Sequence, residues 1–356
     1  MAKKKKECVL VTGGAGYIGC VLVPALLGAG YQVRVFDKLV FGADPLQITL
    51  EKLHQKVEVV QGDVCSFDDS VLDDITSVIH LAGLSNDPTS EFNPQANLAI
   101  NVGGTKNIAN ACVTKKVNRF IFASSCSIYY SLSPYTGMLT EESEVNPTAP
   151  YSLSKKLAEE YLCSLKSPDF SPTFLRKGTI FGWSPRMRYD LVVNAFLKDS
   201  WQKGRVTVLN GGEVWRPLLN INDACEAYIK TLQMPIEKVS GQAFNVLHKN
   251  YRILELAHWL KHLLHDRKNI EVDVQYNTNV PPRSYQVSGD KFQETFGFTP
   301  WVGIGPEMAK IWDNFILGVA TDFENPRYYN IKWLTQLLEV GKILNQIGSL
   351  FPQEND

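Results

Sequence analysis

The sequence predicts an α/β protein: a doubly wound parallel sheet covered by helices, followed by a smaller C-terminal α/β region. Three observations predict it. Short, continuous apolar runs alternate with amphipathic stretches through the first half of the chain, the pattern of strands buried on both faces. A glycine-rich turn stands between the first such run and the first amphipathic stretch, as expected where a parallel strand feeds a crossover helix. The length, 356 residues, suits one large domain or a large and a small one.

In order, Cys8-Val9-Leu10-Val11 reads as the first buried strand and Tyr17 to Leu27 as the first helix. Gln32 to Phe36, Val57 to Val60 and Ser77 to Leu81 read as the next three strands. A helical stretch runs from Asn93 to about Lys115, then the strand Arg119 to Ala123. A helix is expected at 151–167 and a strand near Thr173–Ile180. Beyond lies a mixed region rich in Gly, Pro and Arg to about Trp301, and the chain closes with helices near Pro306–Leu317 and Ile331–Ile347. The expected division is 1–180 for the sheet domain, to which some later segments return, then 181–318 for a second region and 319–356 for a helical extension.

Composition narrows the function. Hydrophobic residues make up 44% and charged residues 21%, an ordinary globular balance. The formal net charge of −1 gives no field for nucleic acid or an acidic membrane. Lys3 to Lys6 form a short basic run that reads as a solvated terminus. No apolar stretch approaches the roughly 20 residues that span a bilayer. The seven cysteines are scattered without a CxxC pair, which suggests free thiols in a reducing compartment such as the cytoplasm, and neither disulfides nor a metal site.

The turn Val11-Thr12-Gly13-Gly14-Ala15-Gly16-Tyr17-Ile18-Gly19 places glycines at 13, 16 and 19. They suit, respectively, a tight turn, close backbone approach to a diphosphate, and close helix–strand packing. The helix N-terminus then presents free amides to phosphate. Asp37, ending the next strand, can bond both hydroxyls of a ribose and would repel a 2′-phosphate. This favours NAD over NADP, although Arg34 and Lys38 nearby leave NADP open. Asp63, in Gln61-Gly62-Asp63-Val64, stands where a carboxylate could cap an adenine amino group; an ordinary turn aspartate fits equally well. Together these features predict a Rossmann-type dinucleotide site.

Tyr151 and Lys155 form a YxxxK pair, which on a helix puts both side chains on one face. A free tyrosine titrates near pH 10, too high for a neutral-pH base, and an adjacent ammonium would stabilise its phenolate. Tyr328 and Lys332 repeat the spacing in the terminal extension, where a structural role is expected. Only Tyr151 lies just beyond the fifth strand, on the side where a doubly wound sheet binds ligands. At the end of that strand, Ala123-Ser124-Ser125-Cys126-Ser127-Ile128-Tyr129 offers hydroxyls to an oxygen that becomes a ketone or alkoxide.

These elements in this order resemble the extended short-chain dehydrogenase/reductases, the NAD-dependent epimerase/dehydratase family. The resemblance extends to about residue 318. It includes His80-Leu81-Ala82-Gly83, Asn101, Pro150-Tyr151-Ser152-Leu153-Ser154-Lys155 and Leu175-Arg176 leading to Phe181-Gly182. It implies NAD as cofactor, with contacts at Gly13, Gly16, Tyr17, Ile18, Gly19, Asp37, Lys38, Asp63, Val64, Leu81, Ala82, Gly83, Asn101 and Lys155. It implies catalysis by Ser125, Tyr151 and Lys155 on the sugar of a nucleotide sugar, with substrate contacts at Ser85, Cys126, Ser127, Lys177, Thr179, Asp190, Arg216 and Arg283. Arg216, in Trp215-Arg216-Pro217-Leu218, and Arg283, in Pro282-Arg283-Ser284-Tyr285, look like the family's arginine clamps on the substrate diphosphate; a guanidinium fork suits that role. A homodimer through helices 93–115 and 151–167 is also implied, although packing on the sheet explains their apolar faces equally well.

Departures from the family pattern narrow the expected reaction. Where the family's 4,6-dehydratases carry an Asp-Glu pair, this chain has Cys126 and Ser127, so acid-assisted loss of water lacks its carboxylates. Epimerases acting at C3 or C5 carry a cysteine in the second slot, which here is Ser127; Cys126 is one place early and fits a buried small hydrophobe. Lys177 and Thr179 stand where many epimerases have an aromatic and an asparagine. The loop Trp183–Asp190, with Arg186 and Arg188, is basic enough to read a carboxylated sugar or a phosphate. The expected reaction is therefore 4-epimerisation. The alternatives are a 4-keto reductase, a decarboxylase or a dehydratase on the same scaffold, and a noncatalytic NAD-binding protein.

Overall fold

The computed structural model describes residues 7–130, 137–277 and 284–347. Its centre is a seven-stranded, wholly parallel sheet. The strands lie in the order Ala243–Val246, Ser171–Lys177, Arg119–Ser125, Ser77–His80, Cys8–Thr12, Gln32–Asp37 and Glu58–Gln61. The chain begins in the middle, winds to one edge, returns and winds to the other. The order therefore reverses beside Cys8–Thr12, and a crevice opens there at the carboxyl ends of the strands.

Alternation along the first strand divides the core. Val9 and Val11 face one layer with Leu22, Leu26 and Val35. Leu10 faces the other with Phe36, Val78, Phe120 and Phe122. Helices Gly19–Gly28 and Ile221–Gln233 cover the first face, and Thr105–Lys115 and Pro150–Ser164 the second. With both faces covered, no strand can afford the polar alternation of a solvated sheet, which is why the strands read as unbroken apolar runs.

Two regions differ from expectation. The stretch 93–115 is not one α-helix: Pro94–Leu98 and Thr105–Lys115 are joined by a π turn over Ala99–Gly104. The residues of this stretch are compatible with an α-helix, and a single π turn inside one has no spacing signal of its own. The region 181–301 is more regular than its composition suggests, with helices Val192–Lys203, Ile221–Gln233 and Ile253–Lys268. Its strand Ala243–Val246 completes the edge of the main sheet, in register Ala243↔Phe174 to Val246↔Lys177. A small sheet of Lys249–Arg252, Trp215–Asn220 and Thr179–Phe181 flanks the crevice. The final helix, Asn330–Ile347, folds back against it. No helix among the described residues is long and apolar enough to cross a membrane.

Candidate active site

A cleft of about 410 Å³ runs along the carboxyl ends of the strands. At one end the glycine turn forms its floor. Gly13 holds φ +72°, and a Cβ there would lie 2.7 Å from the Ala82 backbone nitrogen, so the turn admits no side chain. A Cβ on Gly19 would collide with the Gly14 backbone, which lets helix Gly19–Gly28 start hard against the strand. Ile18, at the start of that helix, gives it no side-chain cap, and the positive end of the helix dipole there favours an anion. Gly16, Tyr17, Ile18, Val64, Leu81, Ala82 and Gly83 line the same wall. The Asp37 carboxylate is fixed by Ala15 N (3.0 Å) and Leu39 N (2.8 Å). Burial raises its pKa while those amides oppose the rise.

Asp63 is a turn aspartate that also lines the cleft. Its Oδ1 accepts from Cys65 N (2.9 Å), as a turn aspartate does, while Oδ2 pairs with Lys38 (2.6 Å) at the cleft wall. Arg34 points elsewhere, to Glu58 and the carbonyls of Val71 and Asp73, so it does not offer its charge to a 2′-phosphate. These residues fit a dinucleotide of the NAD type. Asn101 is a correction. It is buried, its amide bonds the Leu84 backbone in both directions as well as Asn97 and Ser154, and it does not line the cleft. It holds the loop after Gly83.

In mid-cleft, Ser125, Tyr151 and Lys155 come together. Pro150 opens helix Pro150–Ser164 after an extended Ala149, fixing the first turn and setting Tyr151 against the strand end. Ser125 faces Tyr151 across the cleft and acts to lower its pKa. The Lys155 ammonium lies 4.7 Å from the Phe122 ring centroid and 5.8 Å from that of Tyr151. The expected lowering of the tyrosine pKa is not present in the protein alone. Burial pushes Tyr151 up to about 12, Asp87 adds to the rise, and Ser125 and Arg188 only oppose it. Burial likewise pulls Lys155 down to about 8 against the pull of Glu159. Desolvation dominates both shifts because both groups are buried.

A buried polar network supports this floor. Glu159, one turn beyond Lys155, pairs with Arg176 (2.7 Å) and accepts from Ser124 Oγ (2.5 Å). Arg176 also donates to Tyr129 Oη (2.8 Å), which donates to Asn245 (2.8 Å). Lys177 enters the cleft, donates to the Ser124 carbonyl (3.1 Å), and is pulled well down by burial and by Lys155. Ser127 Oγ lies 2.9 Å from Ser125 Oγ, and Thr179 lines the wall. Cys126 is the second correction: 0% exposed, it gives its thiol to the Arg176 carbonyl (2.9 Å) among Ile128, Leu139 and Leu247. It opens the short 3-10 turn Cys126–Tyr129 that follows the strand, and the turn directs its side chain into the core.

At the far end, Arg188 donates to Ser85 Oγ (2.9 Å) and pairs with Asp190 (2.7 Å). Ser85 lines the cleft; Asp190 does not, and orients Arg188 instead. Arg216 lines the cleft with its guanidinium 5.6 Å from the Tyr285 ring. Arg283 lies outside the described residues. Sequence reasoning missed Asp87, Asn330 and Leu334 in the wall. Glu159 carried a signal, being four residues from Lys155 on the same helix face; Asn330 and Leu334 carried none. Tyr328 is structural as expected, its carbonyl accepting from Tyr189 N (3.1 Å) and its ring packed edge-on against Tyr189.

Residues 9–246 match the NAD dependent epimerase/dehydratase family. The chain belongs to it. Among relatives, it is 27% identical over 278 residues to the UDP-glucose 4-epimerase of Bacillus subtilis, spanning 70% of this chain and 80% of that one. It is 26% identical over 321 residues to the dTDP-glucose 4,6-dehydratase of Streptomyces niveus, 85% and 90% of the two chains. The solved structure of MoeE5 in complex with UDP-glucuronic acid and NAD superposes with a TM-score of 0.74 at 25% identity. It covers 86% of this chain and 99% of its own, so about one residue in seven here has no counterpart. The family is NAD-dependent, and the glycine turn with Asp37 and Asp63 marks the cofactor end of the cleft.

Proposed function

We propose that this epimerase/dehydratase-family enzyme inverts C4 of a nucleotide sugar through a transient 4-keto sugar. One observation carries the reading: the slots beside Ser125 that would hold an elimination or C3/C5 acid hold a buried thiol and a serine. Cys126 turns into the core and burial pushes its pKa far up, and Ser127 is a poor proton donor. Ser125, Tyr151 and Lys155 suffice for oxidation and return. When bound, NAD would supply the redox chemistry, accepting a hydride from the sugar carbon and giving it back to the opposite face once the keto sugar has turned over. Tyr151 takes the C4 hydroxyl proton as the carbon becomes a ketone and restores it at the end. Ser125 donates to the same oxygen, and the Lys155 charge favours the phenolate once a ligand is in place. Arg216, with Arg283, is assigned to the substrate diphosphate, where a guanidinium fork fits.

A second reading has its own support. Arg188 brings a cation to the sugar end, and a sugar carboxylate would favour the charged form of the desolvated Lys177 amine; the 4-ketone of such a sugar would be a β-keto acid able to lose carbon dioxide, the enolate left behind taking a proton at C5. Proton NMR in deuterated water, with UDP-, dTDP-, GDP- and CDP-sugars and no added cofactor, separates the two. A new epimer free of deuterium is expected. Deuterium at C3 or C5, or a 4-keto-6-deoxy product, would sink the C4 reading, and carbon dioxide release would favour the second. We also assign the protein a homodimer through Thr105–Lys115 and Pro150–Ser164, where Val113 and Leu157 stay exposed; sedimentation velocity tests it.

A further inference from the structure

The last helix, Asn330–Ile347, reaches the cofactor end of the cleft. Asn330 and Leu334 line it alongside Phe41 and Arg186. Trp333 Nε1 donates to the Val40 carbonyl at 2.6 Å, which fixes the helix to the segment following Asp37. Asn330 acts twice: Oδ1 accepts from Arg186 Nη2 (2.7 Å) and Nδ2 donates to Ser85 Oγ (3.3 Å).

Arg186 is the unusual group. Its side chain is 3% exposed, its guanidinium lies 3.8 Å from the Phe41 ring centroid, and its Nε has no hydrogen-bond partner. Asp190, whose charge it feels, is taken by Arg188. A buried guanidinium held by a neutral amide and a ring, with one donor unmet, is costly unless an anion joins it. Its surroundings place that anion. Arg186 interacts electrostatically with Asp37, Cys20 and Tyr17, all around the glycine turn. Arg188 also acts on Tyr17, but it stands by Ser85, is paired with Asp190 and acts on Tyr151 as well. The two arginines of one loop are joined through Asn330 and Ser85, and of the two it is Arg186 that acts on Asp37.

We infer that Arg186 is a phosphate ligand of the dinucleotide, aimed by Asn330, and that the final helix closes the adenosine end of the site through Leu334 and Trp333. The helix is then part of the cofactor site and holds NAD between turnovers. This goes beyond the proposed reaction and holds whichever reaction the enzyme runs.

The test measures cofactor, not turnover. NAD is extracted and quantified from purified full-length protein, and its release rate is followed by dilution into excess ADP-ribose. UDP affinity is measured in parallel. Arg186→Met should release NAD roughly 10- to 100-fold faster, the range for a lost charge-assisted hydrogen bond, with UDP affinity changed less than about twofold. Leu334→Ala, at a half-buried position of the last helix, should speed release several-fold, which keeps the test open if Arg186→Met fails to fold. Unchanged NAD content and release in both variants would overturn the inference. So would a loss of UDP affinity with NAD retained, which would move Arg186 to the substrate.

Discussion

Lys155 is where chemistry and stability should separate most cleanly. Its side chain is 5% exposed, and burial pulls its pKa from 10.5 to about 8. In the unfolded chain it would titrate at its ordinary value. The gap is worth about 3 kcal/mol, an upper figure for a group whose surroundings can relax. Because the folded form binds the proton less tightly, the penalty is complete below about pH 8. It fades as pH rises toward 10.5 and is absent above it. Lys155→Met keeps the unbranched stem and removes the charge. In NAD-stripped protein, the variant should therefore be more stable than the parent at pH 7, by up to about 3 kcal/mol, a rise in Tm of several degrees. The gain should shrink toward zero near pH 10, while sugar turnover falls about 10²- to 10⁴-fold. Thermal unfolding across that pH range, with activity assayed in parallel, reads both. A variant less stable at pH 7, or a gain indifferent to pH, would refute the view that desolvation dominates at this lysine.

Cys126→Ala should leave turnover within about twofold and lower stability by about 1 kcal/mol, read as kcat and the urea midpoint; a large loss of kcat would return the thiol to the mechanism. Glu159→Gln leaves Arg176 buried without its counter-charge and should cost about 3–5 kcal/mol, measured by urea unfolding, with the Tyr129–Asn245 contact weakened alongside.

Much of this was legible because the backbone demanded it. Only glycine can sit at Gly13 beside Ala82, and a strand buried on both faces must read as Cys8-Val9-Leu10-Val11 does, so the turn and the early strands announced themselves. Tyr151 and Lys155 were legible for a similar reason, since spacing on a helix is geometry. What escaped was anything decided by partners distant in sequence. The bond between Arg186 and Asn330 spans 144 positions, and no local period encodes it. Asn101 matched a family position, yet its amide is spent on Leu84 and Ser154. The pKa of Tyr151 escaped because burial is a property of the assembled fold, and here it exceeds the help of a neighbouring charge. The π turn at Ala99–Gly104 escaped because periodicity averages over single insertions.

The edge strand Ala243–Val246 bears on how the molecule comes into being. Until it emerges from the ribosome, Ser171–Lys177 offers one unpaired side as a bare sheet edge, a template for another chain. Tyr129 meanwhile waits for Asn245. A fragment ending near residue 180 would contain the glycine turn, Ser125, Tyr151 and Lys155, yet lack the rim that shields them. Ribosome-bound chains should thus stay prone to association until the 69 residues beyond Lys177, to Val246, have been added and have emerged, as the register of Val246 on Lys177 requires.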